Sequence, residues 1–165
     1  LTTPVTTTEV VLGKYFASYL LYILMWGSTA GFFYILNSFS GDVRFMDPAP
    51  LIGGYLFIAI SGLLFIAIGV FTSSLSRNQA VAGIMCFSVL FALIFGFSIL
   101  QEASWLSRDV LLPVKEIVNY AQIIEHREDF TRGVVDTRQL LFYLSGTVLT
   151  LIFSILSVEA KLLHN

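Results

Sequence analysis

The chain has 165 residues, of which 56% are hydrophobic, 15% aromatic and only 12% charged, with a net charge of −2. An ordinary soluble domain carries about 25% charged residues, and a chain this short keeps a surface that so few charges cover poorly. These figures exclude a disordered chain, speak against a nucleic-acid binder, which needs a basic face, and leave lipid as the natural solvent.

Charge is segregated as well as scarce. Tyr15 to Gly41, Pro48 to Ser76, Asn78 to Gln101 and Gln139 to Val158 are all free of Asp, Glu, Lys and Arg. Each window reaches the roughly 20 residues that a helix needs to cross about 30 Å of hydrocarbon. A charge at the centre of a span costs about 2.5–3.5 kcal/mol, so four clean windows point to four spans rather than to the buried helices of a soluble core. Runs such as Leu20-Leu21-Tyr22-Ile23-Leu24-Met25-Trp26 lack the strict alternation of a barrel strand, which would also be only about 10 residues long.

In chain order, Thr6 and Glu9 form a capping box, with Val5 and Val10 placed as a hydrophobic staple, so a helix starts near Thr7 and runs into a first span at about 13–40. Asp47-Pro48 fits a cap followed by a first-turn proline ahead of a second span at 51–75. Ser76 and Gln79 offer another capping box, a very short turn and a third span at 78–100. A loop over 102–138 holds seven of the acidic and five of the basic residues. Pro113 opens a helix there, with Ile117, Tyr120, Ala121 and Ile124 on one face. Glu128 and Arg132 form an i,i+4 pair, and Gly133 is a C-terminal stop. The result is an amphipathic helix beside the membrane or over a cavity, or simply a solvated connection. Asp136 and Gln139 cap the fourth span, 139–162. The fold class is an all-α, polytopic transmembrane helix bundle forming a single domain over 1–165. Four spans put both ends on one side with Lys14, Arg77 and Lys161. Arg44 and the basic residues of the long loop lie on the other, so charge leaves the orientation open.

Few residues promise chemistry. Gly13-Lys14 lacks the earlier glycine and the following Ser or Thr of a phosphate-binding loop. His126, His164 and the lone Cys86 do not build a metal site. Cys86 reads as a small apolar packing residue, and His126, in Glu125-His126-Arg127-Glu128-Asp129, as part of a solvated charged helix end. No ionisable group lies inside a span, which disfavours ion coupling through these helices; Asn37 is the one amide, near a span end. Gly27 and Gly31 form a GxxxG that admits close helix packing, and Gly53, Gly54, Gly62 and Gly69 point to a crowded second span. Ser61, Thr72, Ser73, Ser88, Thr147 and Ser154 can bond helix carbonyls locally and need not line a pathway.

Leu1-Thr2-Thr3-Pro4-Val5 followed by Glu9-Val10-Val11-Leu12-Gly13-Lys14 resembles the segment by which ABC-2 type permeases leave a cytoplasmic coupling region and join their third helix. Gly69-Val70-Phe71-Thr72-Ser73-Ser74-Leu75-Ser76-Arg77-Asn78-Gln79 is similar to the family's link between its fourth and fifth helices. Ile124 to Asp136 resembles the approach to the last helix in the gliding-motility-type branch. The resemblance implies the last four of six helices, in a chain that opens on Leu1 without an initiator Met and is expected to lack its upstream part. It also implies a second permease subunit, homo- or heterodimeric, and a separate ATP-binding subunit that binds and hydrolyses ATP, so this chain needs no cofactor of its own. Thr3, Pro4 and Glu9 then become candidate coupling residues, with capping and turn formation as the plain alternative. Residues 1–9 and Arg77 would be cytoplasmic and the 102–138 loop external, with Trp105, Leu106 and Val110 to Leu112 suited to re-enter the membrane edge. The implied location is the bacterial inner membrane.

Three functions compete at this level. A permease of an ABC exporter-like complex requires an accompanying ATPase. A structural anchor of a motility or envelope machine requires function without ATP hydrolysis. An intramembrane enzyme requires paired polar groups at depth, and none are visible.

Overall fold

The computed structural model describes residues 6–40, 48–101, 122–134 and 136–163. Among them are five helices and no strand: α1 Thr7–Ser40, α2 Pro48–Leu75, α3 Gln79–Gln101, α4 Ile123–Thr131 and α5 Thr137–Leu163. In hydrocarbon, backbone amides and carbonyls find partners only within the chain, and a helix satisfies them locally. Four of the five are long and apolar enough to span a bilayer, at nearly the bounds the charge gaps predict; the chain is an integral, multi-pass membrane protein.

α2 is the hub. It packs against α1, α3, α4 and α5, most extensively against α5. Lipid tails are as apolar as leucine, so helices associate through close packing and hydrogen bonds rather than through water exclusion. One core, Phe57, Leu64 and Ile68 of α2 with Ile123, Phe130 and Tyr143, joins α2 to α4 and α5. A second, Val11 and Tyr15 with Ala67, Val70 and Leu151, joins α1 to α2 and α5. The glycines divide by position. A Cβ on Gly53 would overlap the Phe130 carbonyl, one on Gly62 would overlap the Tyr22 ring, and one on Gly146 would crowd Leu64, while Gly54 faces open space and Gly69 makes only ordinary contact with Cys86.

Tyr15, Tyr19 and Tyr22 share one face of α1 and donate hydroxyl hydrogen bonds to the α2 carbonyls of Leu63 (3.2 Å), Ala59 (2.9 Å) and Ile58 (3.3 Å). A carbonyl that already accepts its helix amide has a second lone pair, so this ladder fixes an antiparallel register without breaking either helix. The hydroxyls of Ser61, Thr72, Ser88 and Thr147 bond carbonyls one turn back, as expected. Ser73 instead accepts from Lys14, and Ser154, fully buried, has no hydrogen-bond partner.

The caps refine the sequence reading. At α1, the Thr6 amide donates to Glu9 Oε2 (2.8 Å) and the Glu9 amide to Thr6 Oγ1 (3.4 Å), the reciprocal box. At α3 the cap is Asn78, whose Oδ1 accepts from the Ala80 amide (2.9 Å), not Ser76 with Gln79. The helix starts at Gln79, so the residue just before it takes the cap, while Ser76 bonds the Asn78 backbone to shape the turn. Asp136 caps α5 through the Arg138 amide (2.9 Å), but Gln139 does not return the bond, because its carboxamide is drawn to Asp129 (2.8 Å). α4 closes as a Schellman motif: Gly133, at φ 80°, donates to Phe130 O and Val134 to Asp129 O. Glu128 and Arg132 form the expected pair at 3.6 Å.

Candidate functional site

Two places gather side chains in ways that bear on function, both at the N-terminal half of α2, one on its α1 side and the other on the side where α4 docks. From the tyrosine ladder, α1 and α2 continue to a cavity of about 680 Å³ lined by Trp26, Thr29, Phe32, Phe33, Tyr55 and Ile58, among others. That volume falls in the range of small-molecule sites, roughly 300–1,000 Å³. Its walls are apolar and aromatic, with Phe33 and Tyr55 in a T-shaped contact at 6.1 Å. The hydroxyls there are already engaged. Thr29 donates to the Trp26 carbonyl (2.6 Å), so within the 2.7 Å Thr29–Tyr55 pair the tyrosine donates; Ser28 donates to Met25 O. Such a surface accepts an apolar or amphipathic molecule and holds it by shape and ring faces rather than by charge.

At the α4 end, the short helix lies in the crevice between α2 and α5. Gly53 permits the approach, and Phe57 receives the Phe130 ring at 5.7 Å and the Tyr143 ring at 6.2 Å. His126 is buried at 4% exposure, with Nδ1 3.3 Å from the Tyr143 hydroxyl and its ring edge-on to Phe142 and Tyr143. This corrects the solvated reading of His126. The buried face is Ile123, His126 and Phe130, one residue out of phase with the expected face, whose one described member, Ile124, is half-buried. The i, i+3, i+7 spacing of the true face was present in the sequence, but the charges around His126 masked it. Gln139, also buried, donates one amide hydrogen to Asp129 and leaves Oε1 without a partner.

The remaining sequence candidates divide as follows. Glu9 is described, and its carboxylate is held in the cap. Thr3 and Pro4 lie outside the described residues, as do Val5, Pro113, Ile117, Tyr120, Ala121, Trp105, Leu106 and Val110 to Leu112; for Asn37 the same holds of the side chain. Gly27 and Gly31 sit on an open face of α1 where an added Cβ would meet nothing within 4 Å; no described residue of this chain packs on them. Cys86 is half-buried against Gly69, as a packing residue would be. No group of three or more His, Cys, Asp or Glu among the described residues is placed to hold a metal ion.

Sequence reading passed over two features. The tyrosine ladder was visible as hydroxyls at i, i+4 and i+7. Lys161 donates to the carbonyls of Ser74 (2.6 Å) and Leu75 (2.9 Å), closing the C-terminal end of α2; no spacing rule links residues that far apart.

Comparison with curated proteins and with solved structures finds no match. A family model described as an ABC-2 family transporter protein matches residues 1–162. With four membrane-length helices behind it, that match identifies the chain as a member of the ABC-2 family of transporter membrane proteins.

Proposed function

We propose that this chain is a permease subunit that moves a hydrophobic or amphipathic substrate, driven by ATP hydrolysis in a separate ATP-binding subunit. The observation that carries the reading is the family match across residues 1–162. The aromatic cavity between α1 and α2, with its hydroxyls already satisfied, supports an uncharged contact surface for substrate. In this reading Thr3, Pro4 and Glu9 lie against the ATPase, on the same side as Lys14, Arg77 and Lys161, and that side is the cytoplasm of a bacterial inner membrane. The α4 end faces outward. The open Gly27 and Gly31 face of α1 is suited to close approach of another helix, from a second permease subunit. Ile124 to Asp136 supports the gliding-motility-type branch.

The mechanism follows from the ladder. ATP binding closes the ATPases and pushes on the start of α1. Tyr15, Tyr19 and Tyr22 tie that half of α1 to α2, so the motion is felt where the ladder ends, at the cavity beyond Trp26. The test is co-purification of the full-length protein from its native membrane. An ABC ATPase in stoichiometric amount is expected; its absence would overturn the proposal. Retained function with a hydrolysis-dead ATPase would favour the structural-anchor reading instead.

A further inference from the structure

The end of α1 opposite the aromatic cavity carries a second groove, of about 430 Å³, where α1, α2 and α3 meet. Lys14, Ser18 and Tyr22 line it from α1, with Phe65, Ile66, Gly69 and Val70 from α2 and Cys86 and Leu90 from α3. The glycine leaves the floor open, since only Cys86 comes near its missing side chain, at 3.8 Å. A neighbouring groove of about 490 Å³ shares Ser18, Tyr22 and Ile66 and extends along α1 to Met25.

This groove is polar at one end only. Lys14 is exposed at its mouth, and its ammonium gives one hydrogen bond to Ser73 Oγ at 2.9 Å. An ammonium has three donors. Among the described residues no carboxylate lies within ion-pair distance of it: the Glu9 carboxylate is turned to the Thr6 amide, and the Glu128–Arg132 ion pair is at the far end. Below Lys14 the lining is hydrocarbon, aromatic ring and thiol, apart from the Ser18 hydroxyl one turn down. From Lys14 to Met25 the helix rises about 16 Å, at 1.5 Å per residue, close to the roughly 15 Å hydrocarbon depth of one leaflet. A cation at the headgroup level above an apolar slot one leaflet deep matches one kind of molecule. Basic pockets between spanning helices are sites for anionic lipid headgroups.

We propose that this groove holds an anionic phospholipid, with its phosphate on the Lys14 ammonium and one acyl chain lying along Ser18, Tyr22 and Ile66 towards Met25. The bound lipid fills the space between α1 and α3, the two spans with least support from within the chain. The proposal needs only that these helices cross a bilayer and is independent of what the protein transports.

Native mass spectrometry on the full-length protein, released from vesicles of equal phosphatidylglycerol and phosphatidylcholine, tests it. Wild type is expected to retain phosphatidylglycerol in preference. Lys14→Gln should cut that preference about fivefold, the worth of one basic residue at an anionic surface, and Lys14→Arg should keep it. Ser18→Trp, which fills the slot and leaves the charge, should lose the retained lipid of both kinds. No preference in wild type, an unchanged ratio in Lys14→Gln, or full retention in Ser18→Trp would each overturn the proposal. So would inorganic phosphate that abolishes the preference while the lipid stays bound, since a free anion would then suffice. Where Lys14→Gln fails to insert, the wild-type preference and its loss in Ser18→Trp decide.

Discussion

The inner pair of helices, α2 and α5, and the outer pair, α1 and α3, are built from the same kind of sequence and end in different places. In their most apolar windows α2 is 39% buried and α5 22%, whereas α1 and α3 have no buried residue there. Hydropathy does not explain the order, because α3 is slightly more hydropathic than α5. What the inner helices have is small and hydrogen-bonding residues where another chain segment comes close: Gly53, Ser61, Gly62 and Thr72 in α2, and Gly146, Thr147 and Ser154 in α5. The glycines of the outer helices, Gly13, Gly27, Gly31, Gly83 and Gly96, face open space. In lipid, apolarity sets that a helix inserts, and close approach sets what it packs against.

The sharpest way to break this contrast uses two adjacent glycines. Gly53→Val should push α4 off α2, because the clash is with the Phe130 backbone, which cannot rotate away. Hydrogen exchange over Ile123–Thr131 is expected to rise roughly hundredfold, or about 3 kcal/mol, while Gly54→Val, with nothing near its Cβ, leaves it unchanged. Equal effects at both positions would remove the distinction.

Next in size is Gln139→Leu. It takes away the amide that binds Asp129 and should destabilise the α4–α5 contact by about 1–3 kcal/mol, read as a lower midpoint in detergent unfolding. Lys161→Met tests whether the inner pair is also tied at its other end. Loss of a cation from the Ser74 and Leu75 carbonyls should cost about 1 kcal/mol, measured the same way.

The outer helix should respond less. Tyr19→Phe removes a single hydroxyl from the ladder to α2, and membrane hydrogen bonds of this kind average about 0.6 kcal/mol. Double-mutant cycles with Tyr15→Phe should show the two rungs nearly additive. Smallest of all, Glu128→Ala breaks an ion pair whose partners are both more than half exposed, and unfolding should shift by less than about 0.5 kcal/mol.

How legible this molecule was depends on which force is asked about. The positions of all four long helices could be read from charge gaps, because burying a charge in hydrocarbon is costly wherever it occurs and no tertiary contact is needed to know it. The Thr6–Glu9 box, the Gly133 stop and the Glu128–Arg132 pair were legible for the same reason: each is settled within one turn of chain. Gln139 was misread as a capping partner because its competitor, Asp129, arrives from another helix. His126 was misread as solvated because burial of that face depends on a crevice formed by Gly53, Phe57 and Tyr143.

Sequence by itself determined that this is a membrane protein of four long helices, since insertion is a sum over residues along the chain. Only the tertiary structure decided which helix is central, where α4 docks, and that α1 lies between an aromatic cavity at one end and a lysine-mouthed groove at the other. In spans that are apolar on every side, hydrophobic periodicity does not mark the face that packs. That choice falls to single contacts between residues far apart in sequence, a glycine under a carbonyl or a tyrosine hydroxyl on a neighbouring backbone.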